Sequence, residues 1–241
     1  MQAPFRLVKL SQGRVRLEMH GFCSSCIDLL CNLIPLENSC HGLFRWWYEY
    51  SGGMLTDWGA HHVDIAHWAL GMDDTGPTSI DATGKLPDIP NGYNTATEFE
   101  ITCACPNDVE MVIRSTVNTK VGVLFEGDRG QLFVNRGKVT GKCVDELEGN
   151  PLPDGAIEKV YGGRKPRNHM RNFFECIRER AQPISDVFSH HRAMTTCHLA
   201  NLSLRLGRKL KWDPQKEQIV GDDEANLWLS RPQRAGYEIE A

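Results

Sequence analysis

No stretch of the 241-residue chain is apolar for long enough to cross a membrane as a helix. The nearest candidate, Cys26 to Leu36, is interrupted by Asp28, Asn32 and Pro35, well short of the roughly 18 uninterrupted residues a span requires. Basic charge is not in excess either: 27 Lys and Arg stand against 31 Asp and Glu, a net charge of −4. A nucleic-acid partner held by bulk charge is therefore not expected. Arg6, Lys9, Arg14, Arg16 and Glu18 scatter charge where a secretory signal would place its apolar stretch. The nine cysteines are odd in number and show no framework spacing. They argue against a disulfide scaffold and for a reducing, cytoplasmic compartment. Cys23-x-x-Cys26 with Cys31, Cys40 and His41 lacks the second tight Cys or His pair of a structural zinc site. Internal repeats and low-complexity tracts are absent as well.

What is present suffices for a folded core: 41% hydrophobic and 24% charged residues, with 22 Gly and 12 Pro, in a length that fits one or two domains. Residues 1–42 read as an atypical N-terminal segment. Phe5–Leu10 and Arg14–His20 form the arms of a hairpin about Ser11-Gln12-Gly13, and residues 21–42 form an irregular connector. The hairpin is expected to cover an edge of the sheet predicted below, because an open edge invites aggregation. From Leu43 the texture changes. An aromatic run, Phe44-Arg-Trp-Trp-Tyr-Glu-Tyr50, precedes a Ser51-Gly-Gly53 break and a helix from about Leu55 to Leu70, stopped by Gly71. Between Thr78 and Thr140 the hydrophobic period becomes two, with strands near 78–84, 96–104, 109–117, 121–126 and 131–135 separated by Pro, Gly, Asn and Asp turns. A Gly/Pro-rich excursion, 141–164, leads to helices over 167–180 and 190–210. Strands in a block flanked by helices define an α+β chain without βαβ alternation.

The segment richest in chemistry is Ser51 to Trp68. At about 100° per residue, Asp57, His61, Asp64 and Trp68 share an arc of about 60°, opposite Val63, Ala66 and Leu70. A carboxylate one turn before an imidazole can fix its tautomer and raise its basicity, leaving a nitrogen to exchange a proton with a substrate hydroxyl. The same pattern also suits a solvated, salt-bridged helix face. His190-His191-Arg192, Arg178-Glu179-Arg180 and the cations from Arg205 to Lys211 read as charged or capped helix ends.

Gly52, Gly53, Leu55, Asp57, Gly59, His61 and Asp64 match the Gly-Gly-x-Leu-x-Asp-x-Gly-x-His-x-x-Asp signature that resembles the second domain of the glucose–fructose oxidoreductase/inositol dehydrogenase family. Phe44-Arg-Trp-Trp, Gly76-Pro77, Phe125-Glu-Gly-x-x-Gly130, His169-x-x-Asn172-Phe173, Cys197-His198-Leu-x-Asn201 and Leu204-x-Leu-Gly-Arg-Lys-Leu-x-Trp-Asp-Pro214 follow in order. The resemblance spans about Leu43 to Tyr237. It implies that residues 43–241 form a substrate-binding and oligomerisation domain, an open, mainly antiparallel sheet with helices on one face, associating as a homo-oligomer through the sheet. It further implies NAD or NADP as cofactor and a sugar, polyol or cyclitol as substrate. Asp57 and His61 would be the catalytic pair, and Trp46, Trp58 and Tyr93 candidates for stacking on a sugar face, or else packing residues. The family's dinucleotide turn, Gly-x-Gly-x-x-Gly, is missing, as is its Glu-x-Lys-Pro segment with the catalytic lysine. The chain by itself is therefore expected to lack the cofactor's main platform. Two other readings share these residues: a non-catalytic relative binding a carbohydrate or a partner through the sheet, and a metal-assisted hydrolase using Asp57 and His61 with His191 or His198 as ligands.

Overall fold

The computed structural model describes residues 13–20, 43–48, 50–90, 92–116, 121–128, 130–135, 137–161, 163, 168–230 and 236. Its centre is a nine-stranded sheet. The strands are β1 (Gly13–His20), β2 (Ser79–Lys85), β3 (Glu98–Cys105), β4 (Val109–Thr116), β5 (Gly122–Gly127), β6 (Gly130–Asn135), β7 (Lys138–Thr140), β8 (Leu210–Asp213) and β9 (Gln218–Ile219). They lie in the order β7-β6-β5-β1-β4-β3-β2-β8-β9. All pairings are antiparallel except β1 with β4, which is parallel. Among the described residues six α-helices accompany the sheet: α1 (Trp58–Leu70), α2 (Lys142–Asp145), α3 (Ala156–Val160), α4 (His169–Glu179), α5 (Val187–Leu206) and α6 (Asp223–Asn226). The chain is thus α+β, and none of the described helices is long and apolar enough to cross a membrane.

The alternation read from the sequence produces a two-sided sheet. In β3, Phe99, Ile101, Cys103 and Cys105 are buried while Glu98, Glu100 and Ala104 are exposed. The core formed by these side chains continues into α1 through Val63 and Ala66 and into α5 through Cys197, Leu199, Ala200 and Leu202. Ser203 of α5 binds the sheet directly, accepting the Ala82 N–H at 3.0 Å while donating to the Arg208 carbonyl at 2.8 Å. The other face carries paired charges: Arg14 with Glu110 at 2.6 Å, Arg16 with Glu126 at 3.0 Å and Arg114 with Glu100 at 2.9 Å.

Three expectations are corrected. The strand Gly13–His20 does not cover an edge: it lies inside the sheet, pairing with β4 on one side and β5 on the other. Val15 and Leu17 of this strand are both fully buried. The uninterrupted meander expected from 78 to 135 is accordingly split by β1 between β4 and β5. The last long helix starts earlier and ends earlier than expected. Asp186 caps it by accepting the Phe188 and Ser189 N–H groups at 2.8 and 3.1 Å, Gly207 ends it, and Leu210 already belongs to β8. The first hairpin arm, Phe5–Leu10, the connector 21–42, and Cys23, Cys26, Cys31, Cys40 and His41 lie outside the described residues.

Helix α4 begins two residues after its expected start, capped by Asn168, whose side chain accepts the Met170 and Arg171 N–H groups. Its apolar side chains Met170, Phe173, Phe174 and Ile177 are exposed, whereas Cys176 is buried, its thiol donating to the Gln182 carbonyl at 3.4 Å.

Candidate functional site

The segment that presents Asp57 and His61 is built on two glycines. At Gly53 φ is +66°, and a Cβ would stand 2.6 Å from the Thr95 side chain; at Gly52 a Cβ would meet Thr56 and Asn201 just as closely. Only glycine lets the chain pass here without displacing a neighbour. Asn201 of α5 anchors the passage by donating to the Gly52 carbonyl at 3.0 Å, and the Thr56 hydroxyl accepts the Gly52 N–H at 2.9 Å. A short 3-10 turn, Gly53–Leu55, buries Met54 and Leu55 and delivers Asp57 to the N-terminus of α1.

Asp57 occupies the N-cap position, but its carboxylate does not cap the helix: it pairs with the guanidinium of Arg45. Both groups are partly exposed, and a carboxylate at this end of a helix also suits the helix dipole. One turn on, His61 is exposed and the half-buried Trp58 packs against it edge-on, ring centroids 6.3 Å apart. Asp64 follows on the same face. Burial raises its pKa above the usual carboxylate range, opposed by the charges of His190 and His61. Trp68, 54% exposed, ends the stripe. The opposite face is core, with Val63 and Ala66 fully buried.

Trp46 and Tyr93 are each only 5% exposed and belong to the hydrophobic core, so their rings are occupied in packing. Trp47 meets Tyr93 edge-on at 5.8 Å. Of the three aromatic candidates, Trp58 alone stands beside His61. Two histidines escaped notice in the sequence because they sit between the polar and apolar stripes. His62 and His67 are both buried, at 1% exposure. His67 Nε2 lies 3.1 Å from the Thr196 hydroxyl, and burial drives its pKa down to about 4, against a smaller opposing effect of a hydrogen bond with the Met72 backbone. Arg45, the partner of Asp57, is twelve residues upstream and carries no periodic signal.

Among the described residues no group of three or more His, Cys, Asp or Glu side chains is arranged to hold a metal ion. His191 faces Glu217 at 3.1 Å. A glycine-rich strand–turn–helix able to cradle a pyrophosphate is likewise missing from the described residues, so they do not fit a dinucleotide.

Residues 35–239 match the C-terminal alpha/beta domain of the oxidoreductase family of glucose–fructose oxidoreductase, inositol dehydrogenase and MocA. The chain belongs to this family. Many solved structures match, and three of them illustrate the shared fold. The WlbA dehydrogenase from Bordetella pertussis in complex with NADH and UDP-GlcNAcA is 17% identical with a TM-score of 0.56, covering 85% of this chain and 58% of its own. An NAD-binding protein from Listeria innocua is 15% identical, TM-score 0.54, with 86% and 57% covered. The aldose-aldose oxidoreductase from Caulobacter crescentus complexed with glycerol is 15% identical, TM-score 0.52, with 82% and 55% covered. The chain therefore spans less than three fifths of each of these structures. Comparison with curated proteins by sequence finds no match.

Proposed function

We propose that residues 43–241, completed by the interior strand β1 of an otherwise atypical N-terminal segment, residues 1–42, act as the substrate-binding and oligomerisation domain of an NAD- or NADP-dependent oxidoreductase that works on a sugar, polyol or cyclitol hydroxyl. The observation that carries this reading is the presentation of His61: an exposed imidazole one turn into α1, flanked by Trp58 and preceded by the Asp57–Arg45 pair. An exposed imidazole on a rigid helix can accept the proton of a carbinol hydroxyl in the pH range where substrates are stable. Asp57 contributes charge balance near that proton and, through Arg45, ties the site to the 44–46 turn. Trp58 supplies an aromatic edge or face against the apolar side of a sugar ring. The solved relatives lend support, being named as complexes with NADH and a sugar nucleotide or with glycerol. Since the described residues do not fit a dinucleotide, hydride acceptance belongs to a part of the enzyme other than this domain.

The test has two arms. In calorimetry the purified chain should give no heat with millimolar NADH or NADPH; binding tighter than about 0.1 mM, about −5.5 kcal/mol, would show that it houses a cofactor site of its own. Fused behind the dinucleotide-binding half of a relative, the chain should oxidise members of a sugar and polyol panel, and His61→Ala should cut kcat/KM by about 100-fold or more. An unchanged rate in that variant would remove His61 from the reaction.

The same proposal includes a homo-oligomer formed through the sheet. Its outer face is half-exposed, and its charges are already neutralised in pairs within the chain, so a second copy meets little net field there.

A further inference from the structure

An open cleft of about 970 Å³ lies between α1, α4 and the start of α5, and neither Asp57 nor His61 lines it. Three of its side chains touch one another in a definite order. The Ser185 hydroxyl is hydrogen-bonded to His190 Nε2, and His190 Nδ1 faces Asp64 Oδ1 at 3.6 Å. Hydroxyl, imidazole and carboxylate come from three places: the segment before α5, the first turn of α5 and the middle of α1. His190 is thus not spent on capping its own helix, a task Asp186 performs. The segment bearing the serine is held on both sides. The Ile184 N–H donates to Asn172 Oδ1 at 3.1 Å, and Asp186 binds the first N–H groups of α5. Ser185 is exposed to the cleft mouth while Asp64 and His190 are partly covered.

We propose that Ser185, His190 and Asp64 form a nucleophilic-serine site for carboxylic esters, distinct from the Asp57–His61 site. Such a constellation is defined by geometry and roles and not by sequence order. Ser185 Oγ attacks the ester carbonyl carbon as its proton passes to His190 Nε2. The bond from the carbonyl carbon to the alcohol oxygen breaks, and His190 returns that proton to the departing alkoxide. Water then attacks the acyl-serine, giving a proton to His190; the acyl–Oγ bond breaks, the acid leaves and Ser185 regains its proton. Asp64 holds the ring and balances the imidazolium that forms twice in the cycle. The cleft also fixes the substrate's charge. Asp64, Asp73 and Asp186 line it with carboxylates, as does Glu175, which is paired with Arg171 at 2.8 Å, and Trp68 and Tyr161 line it with aromatic surface, so a neutral or cationic alcohol part is favoured over an anionic one.

The experiment is treatment of the purified chain with a fluorophosphonate probe, in which the Oγ–P bond forms as fluoride leaves, followed by peptide mass spectrometry. Labelling is expected at Ser185, absent in Ser185→Ala, and at least 10-fold slower in His190→Gln and Asp64→Asn, each first checked for an unchanged circular dichroism spectrum. If a substituted histidine or aspartate variant misfolds, Ser185→Ala, whose side chain is exposed, still decides the matter. Hydrolysis of 4-nitrophenyl acetate should fall in parallel, and neutral aryl acetates should outpace 4-acetoxybenzoate. A wild-type chain that stays unlabelled, labelling elsewhere, or unchanged hydrolysis in Ser185→Ala would overturn the site. A preference for the anionic ester would overturn its substrate class.

Discussion

His61 and His67 lie less than two turns apart on α1, and their surroundings give the same side chain two different uses. His61 is exposed at the proposed reaction centre, whereas His67 is packed against Thr196 with its pKa lowered to about 4. A lowered imidazole pKa has a definite consequence for stability. Below about 6.5 the unfolded chain binds a proton at this position that the folded chain refuses, so stability is complete at neutral pH and is lost as pH falls from 6.5 towards 4. The loss attributable to His67 approaches about 3 kcal/mol at the acid end. Urea unfolding at pH 7.5 and pH 4.5 should show it, and His67→Gln should flatten the slope between those values. Gly53 makes a second prediction at this scale. Gly53→Ala forces a side chain against Thr95 at φ +66° and should cost about 2 kcal/mol or more in the same assay. Asp57, His61 and Asp64 were legible as one face of a helix because a 3.6-residue period is a local property. Arg45 and Ser185 were not, since their contacts with Asp57 and His190 are made by the packing of separate segments, and nothing in the spacing announces them.

At the scale of elements, β1 to β6 were readable to within a residue or two because their alternation is strict and their turns carry Pro, Gly, Asn or Asp, whereas the short strands β7, β8 and β9 were not, and the start of β8 was read as a helix end. Pairing was not readable. The arm Arg14–His20 has the same pattern as an edge hairpin would, and only its register with both Val109–Thr116 and Gly122–Gly127 reveals an interior strand. Its energetic weight follows from that position. Leu17 is fully buried between two neighbouring strands, and Leu17→Ala should destabilise the fold by about 2–5 kcal/mol, the range for a buried leucine. A mere edge position would have cost far less. Helix α4 shows the reverse situation: Met170, Phe173, Phe174 and Ile177 recur at helical spacing, yet Phe173 and Phe174 are 48% and 59% exposed. Exposed apolar area of this kind binds hydrophobic dyes. Phe173→Glu with Phe174→Glu should lower dye fluorescence while leaving the helical circular dichroism signal in place.

For the whole molecule, the two faces of the sheet divide the labour. One buries the core beneath α1 and α5, and the other displays the Arg14–Glu110, Arg16–Glu126 and Arg114–Glu100 pairs. If copies associate through that second face, sedimentation equilibrium should show a concentration-dependent species heavier than the 27.2 kDa chain. Reversing Glu100 and Glu110 to Lys should shift the population towards monomer, because each protomer then presents unpaired like charges. A monomer at all concentrations would confine the sheet to the core-building role. The seat of β1 also sets the order of assembly. Gly13 pairs with Val109 and with Gly127, so β1, which joins β4 to β5, must wait for partners made about a hundred residues later. Such non-local pairing has a high entropic barrier and folds slowly. During synthesis the ribbon of β2, β3 and β4 has two edges to cover: β1, made before it, is at hand for β4, whereas β2 stands bare until β8 emerges after the long helix α5.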